Sequence, residues 1–434
     1  MLLHNARIIL PERTAEKASL LIHDDRIARV LEPAPSQLPT SDSVIDLSGL
    51  TLFPGFIDVH IHGAVGVDTM EATAEGLNRV SEFLASQGVT AWLPTLVPAA
   101  PEDYQSVVRA IEQVMREQSL AGDEEQAGRG RGPQRGSPAG VEAPRRIGKH
   151  PPGTPPRLRS QQQESRSIGG ARAIGVHYEG PFVNTAQCGA LRSAYFRSFS
   201  SVSDLDSLVV PNAQTSVRMM TLAPEIEGGL NLVQELNKRG WVVSIGHTRA
   251  DTGVLDGAFQ AGAHHLTHFM NAMPPLHHRS PGPVGWALSR DDVTCDVIAD
   301  GIHLDPVVLK LLVKLKTSNR LTLISDSIAA TGQGDGEYRI WGETIAVKNG
   351  RTRNERGSIA GSVITMLDAA RMMRSLGVSE TDLARMTATN PARLLRVDGD
   401  CGSIEAGKRA DLIALDDAGD VRLTIIGGRV AFQA

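Results

Sequence analysis

Apolar residues along this chain fall mainly into eight short runs, separated by stretches with the spacing of amphipathic helices. Such stretches include Asp103–Glu117 and Gly228–Lys238. Repeated strand–helix units predict a parallel sheet, and eight strands are the number in a closed (β/α)8 barrel. An open doubly wound sheet is the alternative, and the first run lacks the glycine-rich dinucleotide fingerprint that would favour it. The runs are Phe56–His62, Val89–Leu96, Ala173–Glu179, Val217–Ala223, Trp241–His247, Ala263–His268, Thr294–Ala299 and Leu321–Asp326.

The two ends of the chain have a different pattern, in which short strand candidates are joined by turns. These candidates are Arg7–Leu10, Ser19–His23, Arg26–Leu31, Asp411–Leu415, Val421–Ile426 and Arg429–Phe432. The chain is therefore predicted to be an α/β protein, a (β/α)8 TIM barrel with a small β-sandwich domain formed from both chain ends. The predicted boundaries are 1–52 for the first part of the sandwich, 53–120 and 171–385 for the barrel, and 386–434 for the second part of the sandwich with its preceding helix.

Between the two barrel parts, residues 121–170 contain ten glycines and seven prolines but no aromatic residue. Such a segment cannot bury enough apolar surface to offset the entropy lost on ordering, so it is predicted to be a disordered insertion. Nine lysines and arginines against five acidic residues give it a charge of +4. We interpret it as a solvated surface loop rather than a basic tail that binds a partner.

Composition narrows the class of protein. The chain has 434 residues, 41% of them hydrophobic, and a net charge of −5, so it can build a large core but lacks the basic surface that nucleic-acid binding needs. No apolar run approaches the roughly 20 residues that a membrane helix needs. A signal peptide is not expected either, because His4, Asn5 and Arg7 interrupt the segment that would have to be its apolar core. Three widely spaced cysteines fit a reducing compartment. We therefore expect a cytoplasmic protein with no nucleic-acid or membrane partner.

Residue types that bind metals lie at the ends of the predicted strands, which converge on the catalytic face of a (β/α)8 barrel. His60 and His62 point to the same side of one strand, so both can bind one ion. Imidazole and carboxylate ligands suit Zn, Fe, Mn or Ni, and either one or two ions fit the pattern. His264 and His265 have the wrong position in their strand. The candidate ligands are His60, His62, Glu179, His247, His268 and Asp326.

Asp326 is also the candidate acid–base residue. It follows the largely apolar stretch Leu321–Ser325, and a buried carboxylate needs a partner. A metal ion lowers the pKa of bound water from 15.7 towards about 7, and Asp326 can accept that water's proton and later deliver it to a leaving amine. A carboxylate that only caps the following turn is the structural alternative.

Six segments around these residues form a recognisable set. They are Pro54–Gly63, His177–Phe182, Gly246–Thr248, Thr267–Met273, Ala299–His303 and Ser325–Asp326. This set resembles the N-acetylglucosamine-6-phosphate deacetylase family of the amidohydrolase superfamily, over nearly the whole chain except the insertion. The segments Asn390–Leu395 and Gly402–Leu412 are similar to a C-terminal signature of the whole superfamily, which supports the superfamily but not the substrate.

The resemblance implies a role for each matching residue. The principal ion would be held by Glu179, His247 and His268, and a second ion by His60, His62 and Asp326. Asp326 would be the general base and then the general acid, and His303 would help to polarise the acetyl carbonyl. In the family the arginine matching Arg279 reaches the substrate phosphate across a homodimer. Substrate contacts are implied for Ala190, Asn271, Ala272, Arg279, His303, Ile359, Ala360 and Gly361.

One loop departs from the family. Many relatives read Lys-Gly-Ala-His where this chain has Cys188-Gly-Ala-Leu191, so a basic residue and a histidine are missing from a loop expected to contact the substrate. The substrate of this chain, or its affinity for that substrate, is therefore expected to differ from that of the relatives because of this loop. Cys188 has no visible activating partner and is interpreted as a small packing residue.

The predicted function is metal-dependent removal of acetate from N-acetylglucosamine 6-phosphate to give glucosamine 6-phosphate. One alternative is deacetylation of N-acetylgalactosamine 6-phosphate. Another is an amidohydrolase acting on a different amide, such as a dihydroorotate-like ring; many of those enzymes bridge their metals with a carboxylated lysine, whereas Glu179 is the candidate bridge here. A third is a non-catalytic binding protein, which the presence of all six candidate ligands disfavours.

Overall fold

The computed structural model describes residues 1–35, 43–129, 169–213 and 216–434. Its strands are β1 (Leu2–Ile9), β2 (Thr14–His23), β3 (Arg26–Leu31), β4 (Val44–Asp46), β5 (Thr51–Pro54), β6 (Phe56–Ile61), β7 (Gly63–Ala64), β8 (Val67–Asp68), β9 (Val89–Leu96), β10 (Arg172–Ala173), β11 (Gly175–Glu179), β12 (Val217–Leu222), β13 (Val242–Ile245), β14 (His265–Leu266), β15 (Thr294–Ile298), β16 (Leu321–Ile324), β17 (Gly336–Ile340), β18 (Glu343–Lys348), β19 (Arg351–Asn354), β20 (Leu412–Leu415), β21 (Val421–Ile426) and β22 (Arg429–Gln433). Its helices are α1 (Ala74–Ser86), α2 (Pro101–Arg129), α3 (Gly229–Lys238), α4 (Thr252–Gln260), α5 (Gly282–Leu288), α6 (Pro306–Lys316), α7 (Met366–Ser375), α8 (Glu380–Ala384) and α9 (Asn390–Leu394). None of these described helices combines the length and the apolar composition that a membrane span requires.

Eight parallel strands form the barrel, in the order β6, β9, β11, β12, β13, β14, β15 and β16. The last strand returns to the first where the backbone N–H of Asp326 donates to the carbonyl of His60 at 2.9 Å. Strands β6 and β9 are buried along their whole length, because side chains fill the barrel and helices cover its outside. The predicted (β/α)8 barrel is confirmed.

Several barrel strands are shorter than the apolar runs. Strands β13, β14 and β16 end before His247, His268 and Asp326, although the runs include these residues. The three residues have φ angles of +47°, +28° and +50°, and left-handed backbone cannot continue a strand ladder. The ligand candidates therefore lie just beyond the strands, at the barrel mouth.

The chain ends build one eight-stranded sheet in the order β22–β21–β20–β5–β1–β2–β3, with β4 paired to β1. Both ends contribute to one buried cluster that includes Leu3, Leu20, Leu412 and Ile425. The separate β-domain formed from both ends agrees with the sequence pattern. Its N-terminal part extends to Pro54 rather than to residue 52, because β5 pairs with β20.

Helix α2 extends to Arg129, nine residues into the segment predicted to be a disordered insertion. Residues 121–129 include alanine, glutamate, glutamine and arginine, which have high helix propensity and allow the helix to continue. The rest of the predicted insertion, residues 130–168, lies outside the described residues.

A three-stranded antiparallel sheet, β17–β19, follows β16 within the part of the chain that the sequence pattern assigns to the barrel. Its turns are Trp341-Gly342 and Asn349-Gly350, and all four residues have positive φ, as two-residue type I′ hairpins require. The Asn-Gly pair was the available signal for this sheet. An apolar cluster joins the sheet to the loop after β11 and includes Leu191 and Trp341.

Candidate metal centre

Side chains from the ends of five barrel strands meet at the barrel mouth. The Nε2 atoms of four histidines and the carboxylates of Glu179 and Asp326 face one another there, and all six side chains are buried. Glu179 lies in the middle. Its Oε1 is 2.9 Å from His247 Nε2 and 3.1 Å from His268 Nε2, and its Oε2 is 3.3 Å from His62 Nε2. The structure thus brings all six candidate ligands together.

The six residues form two groups that share Glu179. Glu179 with His247 and His268 forms one group, called here the His247/His268 side, and Glu179 with His60 and His62 forms the other, the His60/His62 side; within each group the ligand atoms lie within 4.8 Å of one another. Asp326 joins the second group, because its Oδ1 is 3.2 Å from His62 Nε2 and 3.6 Å from His60 Nε2.

The spacing and chemistry of these donors fit divalent metal ions. Ligands about 2.0–2.1 Å from a tetrahedral ion lie about 3.3 Å apart, and the donor separations here run from 2.9 to 3.6 Å. Imidazole nitrogen and carboxylate oxygen suit Zn, Fe, Mn and Ni. A carboxylate with one oxygen in each group can bridge two ions. The donor set therefore fits one or two ions.

Mutual proximity perturbs the titration of these groups. Burial opposes charge on His62, but hydrogen bonds with Asp326 and Glu179 outweigh it and raise the pKa of His62 to about 10. Burial also opposes charge on His268, and Glu179 raises the pKa of His268 to about 9. Burial opposes ionisation of Glu179, yet the charge of His60 and hydrogen bonds from the histidines hold the pKa of Glu179 well below its usual range. Metal binding would therefore displace protons from His62 and His268.

Three candidate ligands have strained backbone. The left-handed conformations of His247, His268 and Asp326 cost about 1–3 kcal/mol each and persist only where surrounding contacts impose them. One such contact is the close approach of Gly361, where a Cβ atom would lie 2.8 Å from the carbonyl oxygen of Asp326. A residue without a side chain is required at that point, beside a candidate ligand.

Asp58 supports the His60/His62 side from behind, a role that the sequence interpretation missed. It is fully buried on β6, two residues before His60, and accepts a hydrogen bond from Ser325 Oγ at 2.5 Å. Burial raises the pKa of Asp58 to about 6. Asp58, like His60 and His62, lies at every second position of the segment and so on the same face. The signal for Asp58 was therefore this period-two spacing.

Asp296 supports the His247/His268 side and was missed as well. This buried residue of β15 accepts hydrogen bonds from the backbone N–H of His268, from Thr267 Oγ1 at 3.2 Å and from His265 Nε2 at 2.9 Å. His265 thus contacts a carboxylate behind the centre and is not one of the converging ligands. An acidic residue in the middle of an apolar run was the available signal for Asp296.

His303 lies after β15 and is held by Asp300. Its Nδ1 donates to Asp300 Oδ2 at 2.7 Å, and the backbone N–H groups of Ile302 and His303 donate to Asp300 Oδ1 at 2.7 and 2.8 Å. Burial opposes ionisation of Asp300, but the hydrogen bond from His303 outweighs it and lowers the pKa of Asp300. The Nε2 atom of His303 remains for another partner.

The other candidate substrate residues lie in loops after the strands. Asn271 and Ala272 follow His268, and Asn271 Nδ2 donates to the carbonyl of His268 at 3.1 Å. Ile359 and Ala360 precede Gly361, the residue that packs on Asp326. Arg279 is exposed, and in the described part of its own chain its guanidinium contacts His278 Nε2 at 2.7 Å rather than the ligand cluster.

The loop that departs from the family pattern lies against His247. His247 Nδ1 donates to the carbonyl of Gln187 at 2.8 Å, and a Cβ atom at Gly189, which has φ +57°, would lie 3.6 Å from the His247 ring. Next to Ala190, Leu191 is buried in the same apolar cluster as Trp341, whose ring packs edge-on against His62 at 5.2 Å. Cys188 is a half-buried free thiol. Leu191, where many relatives have histidine, therefore adds an apolar side chain to the cluster that packs beside the His60/His62 side.

Comparison with known proteins agrees with this geometry. A sequence profile of the Amidohydrolase family matches residues 171–431. N-acetylglucosamine-6-phosphate deacetylase from Bacillus subtilis (strain 168) is 32% identical over 433 residues, covering 100% of this chain and 97% of the relative. N-acetylgalactosamine-6-phosphate deacetylase from Escherichia coli O157:H7 is 32% identical over 426 residues, an alignment that covers 98% of this chain and 97% of the relative. The solved structure of a mutant N-acetyl-D-glucosamine-6-phosphate deacetylase from Mycobacterium smegmatis, in complex with N-acetyl-D-glucosamine-6-phosphate, has a TM-score of 0.78 and 28% identity and covers 100% of both chains. This chain therefore belongs to the amidohydrolase family and, within it, to the N-acetylglucosamine-6-phosphate deacetylase family.

Proposed function

We propose that this protein is a metal-dependent enzyme that hydrolyses N-acetylglucosamine 6-phosphate to acetate and glucosamine 6-phosphate. The observation that supports it most is the meeting of four imidazoles and two carboxylates around Glu179 at the barrel mouth, in a chain that matches deacetylases over its full length. N-acetylgalactosamine 6-phosphate is the second candidate, because the relative from Escherichia coli is named for it.

Glu179, His247 and His268 would hold the principal ion, and His60, His62 and Asp326 a second one. A divalent ion in this centre would polarise the acetyl carbonyl and acidify the attacking water. Glu179 would fix the position of the two sides relative to each other, because its two oxygens face different histidines. Supporting contacts from Asp58 and Asp296 would hold the donors in place as charge changes during the reaction.

Asp326 would act first as a base and then as an acid. Burial raises its pKa, but the charge of His60 and the hydrogen bond with His62 outweigh burial and lower the pKa of Asp326. The carboxylate is therefore ionised and can accept a proton as a water oxygen bonds to the acyl carbon. The same proton would pass to the amide nitrogen as the C–N bond breaks, which releases acetate and the free amine.

His303 would stabilise the oxygen of the acetyl group. Because its Nδ1 donates to Asp300, His303 can donate from Nε2 as well only when the ring carries both protons. The lowered pKa of Asp300 keeps its carboxylate ionised, so it can accept the Nδ1–H of His303. A positioned N–H aimed at the oxygen where negative charge develops lowers the reaction barrier.

Arg279 would bind the phosphate. A guanidinium can make two parallel hydrogen bonds to phosphate oxygens, and Arg279 is exposed in its own chain, where a second subunit can approach it. We therefore propose a homodimer in which Arg279 reaches the site of the other subunit. The cytoplasmic location expected from the sequence stays part of this proposal.

The test is acetate release from N-acetylglucosamine 6-phosphate, its galactosamine epimer and the two unphosphorylated sugars, with protein reconstituted separately with Zn, Fe, Mn and Ni. We expect fast release from N-acetylglucosamine 6-phosphate and little from its free sugar. Faster release from the epimer would establish the second candidate. No release from any of the four with ion bound would contradict the proposed reaction and point to the Cys188–Leu191 loop as the origin of a different specificity.

A further inference from the structure

The ring of His62 has one nitrogen in the ligand cluster and one without a partner. Nε2 lies 3.3 Å from Glu179 Oε2 and 3.2 Å from Asp326 Oδ1. Nδ1 is buried and has no hydrogen-bond partner among the described residues. When Nε2 binds an ion, the proton resides on Nδ1, and a buried N–H without an acceptor loses its hydration without compensation. An acceptor on that side of the ring is therefore expected.

Asp68 carries a matching oxygen. Its Oδ1 accepts the backbone N–H of Met70 at 2.8 Å and caps a short 3-10 helix that includes Glu71. Its Oδ2 is buried and accepts no hydrogen bond from the described residues. Among the buried, unpartnered side-chain atoms of those residues, it is the only carboxylate oxygen. A donor and an acceptor of the right kind are thus both unpaired.

The backbone brings Asp68 beside His62. Gly63, the residue after His62, pairs with Asp68 across the β7–β8 hairpin, and the N–H of Thr69 donates to the carbonyl of His62 at 2.8 Å. A Cβ atom on Gly63 would lie 3.2 Å from the Cα of Asp68.

We propose that Asp68 is a positioning residue for the His60/His62 side, with Oδ2 accepting the Nδ1–H of His62 through one bridging water molecule. A carboxylate in this role fixes the tautomer and orientation of a metal-bound imidazole. Packing of Trp341 against the same ring restricts its rotation further. This inference rests on the proposed metal centre but not on the proposed substrate.

The experiment is a titration of the ion-free, full-length protein with Zn²⁺ in competition with a chelator of known affinity. Asp68→Asn keeps an oxygen for the Met70 cap but presents an amide that cannot accept the Nδ1–H of His62. Glu71→Gln is the matched control, because it removes the same charge from an exposed side chain of the same short helix. His62→Ala identifies which measured affinity belongs to the His60/His62 side.

We expect Asp68→Asn to weaken only that affinity, by about 10- to 100-fold, while Glu71→Gln leaves both affinities unchanged. Asp68→Ser, which also keeps a capping oxygen, should give the same result and replaces Asp68→Asn if that variant does not fold. The inference would be overturned if Asp68→Asn left the affinity unchanged or weakened both sides equally. It would also be overturned if Glu71→Gln weakened the affinity as much, or if the wild-type protein bound no ion at His60 and His62. Because no sugar is used, the outcome is independent of the proposed reaction.

Discussion

The two sides of the candidate metal centre use the same donor types but are built differently. On the His60/His62 side, both histidines come from one chain segment at alternate positions, so local geometry places them together. On the His247/His268 side, each histidine follows a different strand in left-handed backbone. Each also depends on a distant group, Gln187 for His247 and Asp296 for His268. The pairing of His60 with His62 is therefore set mainly by local sequence, although His60 Nδ1 also lies 3.0 Å from Thr267 Oγ1. The pairing of His247 with His268 is set by tertiary contacts, so changes behind the ligands should affect the two sides unequally.

The largest effect should follow loss of the shared ligand. Glu179→Gln removes the charge that faces both groups, so we expect every bound ion to be lost, whether one or two. Acetate release should fall by more than about 10,000-fold, because water then keeps a pKa near 15.7. Metal analysis and an activity assay on the same sample measure both effects. The exposed Glu71→Gln variant should retain the ion content of the wild-type protein and its activity. If Glu179→Gln kept that ion content, Glu179 would not be the shared ligand.

Asp326→Asn separates chemistry from binding. The amide cannot accept a proton, so we expect kcat to fall by about 100- to 10,000-fold. The ion on the His247/His268 side should remain, because Asp326 lies on the other side of the centre. Turnover and metal content measured together test this expectation, and near-normal turnover would rule out Asp326 as the acid–base residue.

Asp296→Asn tests the tertiary support behind His268. Losing the charge that accepts the N–H of His268 should weaken ion binding on the His247/His268 side by about 10- to 100-fold. The His60/His62 side should be weakened less, because Asp296 reaches it only through Thr267 Oγ1, which lies 3.0 Å from His60 Nδ1. Asp292→Asn, a change at an exposed position nearby, is the control. Competitive Zn²⁺ titration gives both affinities. Equal weakening on both sides would mean that the two sides are not independently supported.

The smallest stepwise effect, about tenfold for each pH unit, should come from pH. The pKa values of about 10 for His62 and about 9 for His268 lie above the ordinary histidine value, so both rings are protonated at neutral pH and each must lose a proton to bind an ion. Affinity should therefore fall about tenfold per unit as pH decreases, on either side, and become independent of pH above those pKa values. Zn²⁺ titrations between about pH 6 and pH 8, with proton release measured by calorimetry, test this. Affinity independent of pH would contradict the protonated state of the rings.

Local periodicity explains what the sequence predicts well. Buried parallel strands are apolar on both faces, so the barrel strands appear as eight apolar runs. His60 and His62 are visible as a pair for the same reason that a strand has a period of two. The convergence of Glu179 with them follows from the barrel itself, because all strand ends of one polarity share one face.

Tertiary contacts explain what the sequence pattern misses. The left-handed backbone at His247, His268 and Asp326 shortens the strands. Histidine and aspartate adopt this conformation more often than most residues, but it is still uncommon for them, so the residue type alone does not predict it. The support from Asp296 depends on which strands become neighbours. The sheet β17–β19 is different, since the Asn349-Gly350 turn is a local hairpin signal that the pattern of apolar runs does not include.

The most direct test of the proposed function is acetate release from N-acetylglucosamine 6-phosphate by protein stripped of its ions and then reconstituted. The geometry predicts that removal abolishes release and that returning Zn, Fe, Mn or Ni restores it, with one or two ions bound per chain around Glu179. Undiminished release by protein whose ion content is verified as negligible would contradict a metal-dependent deacetylase.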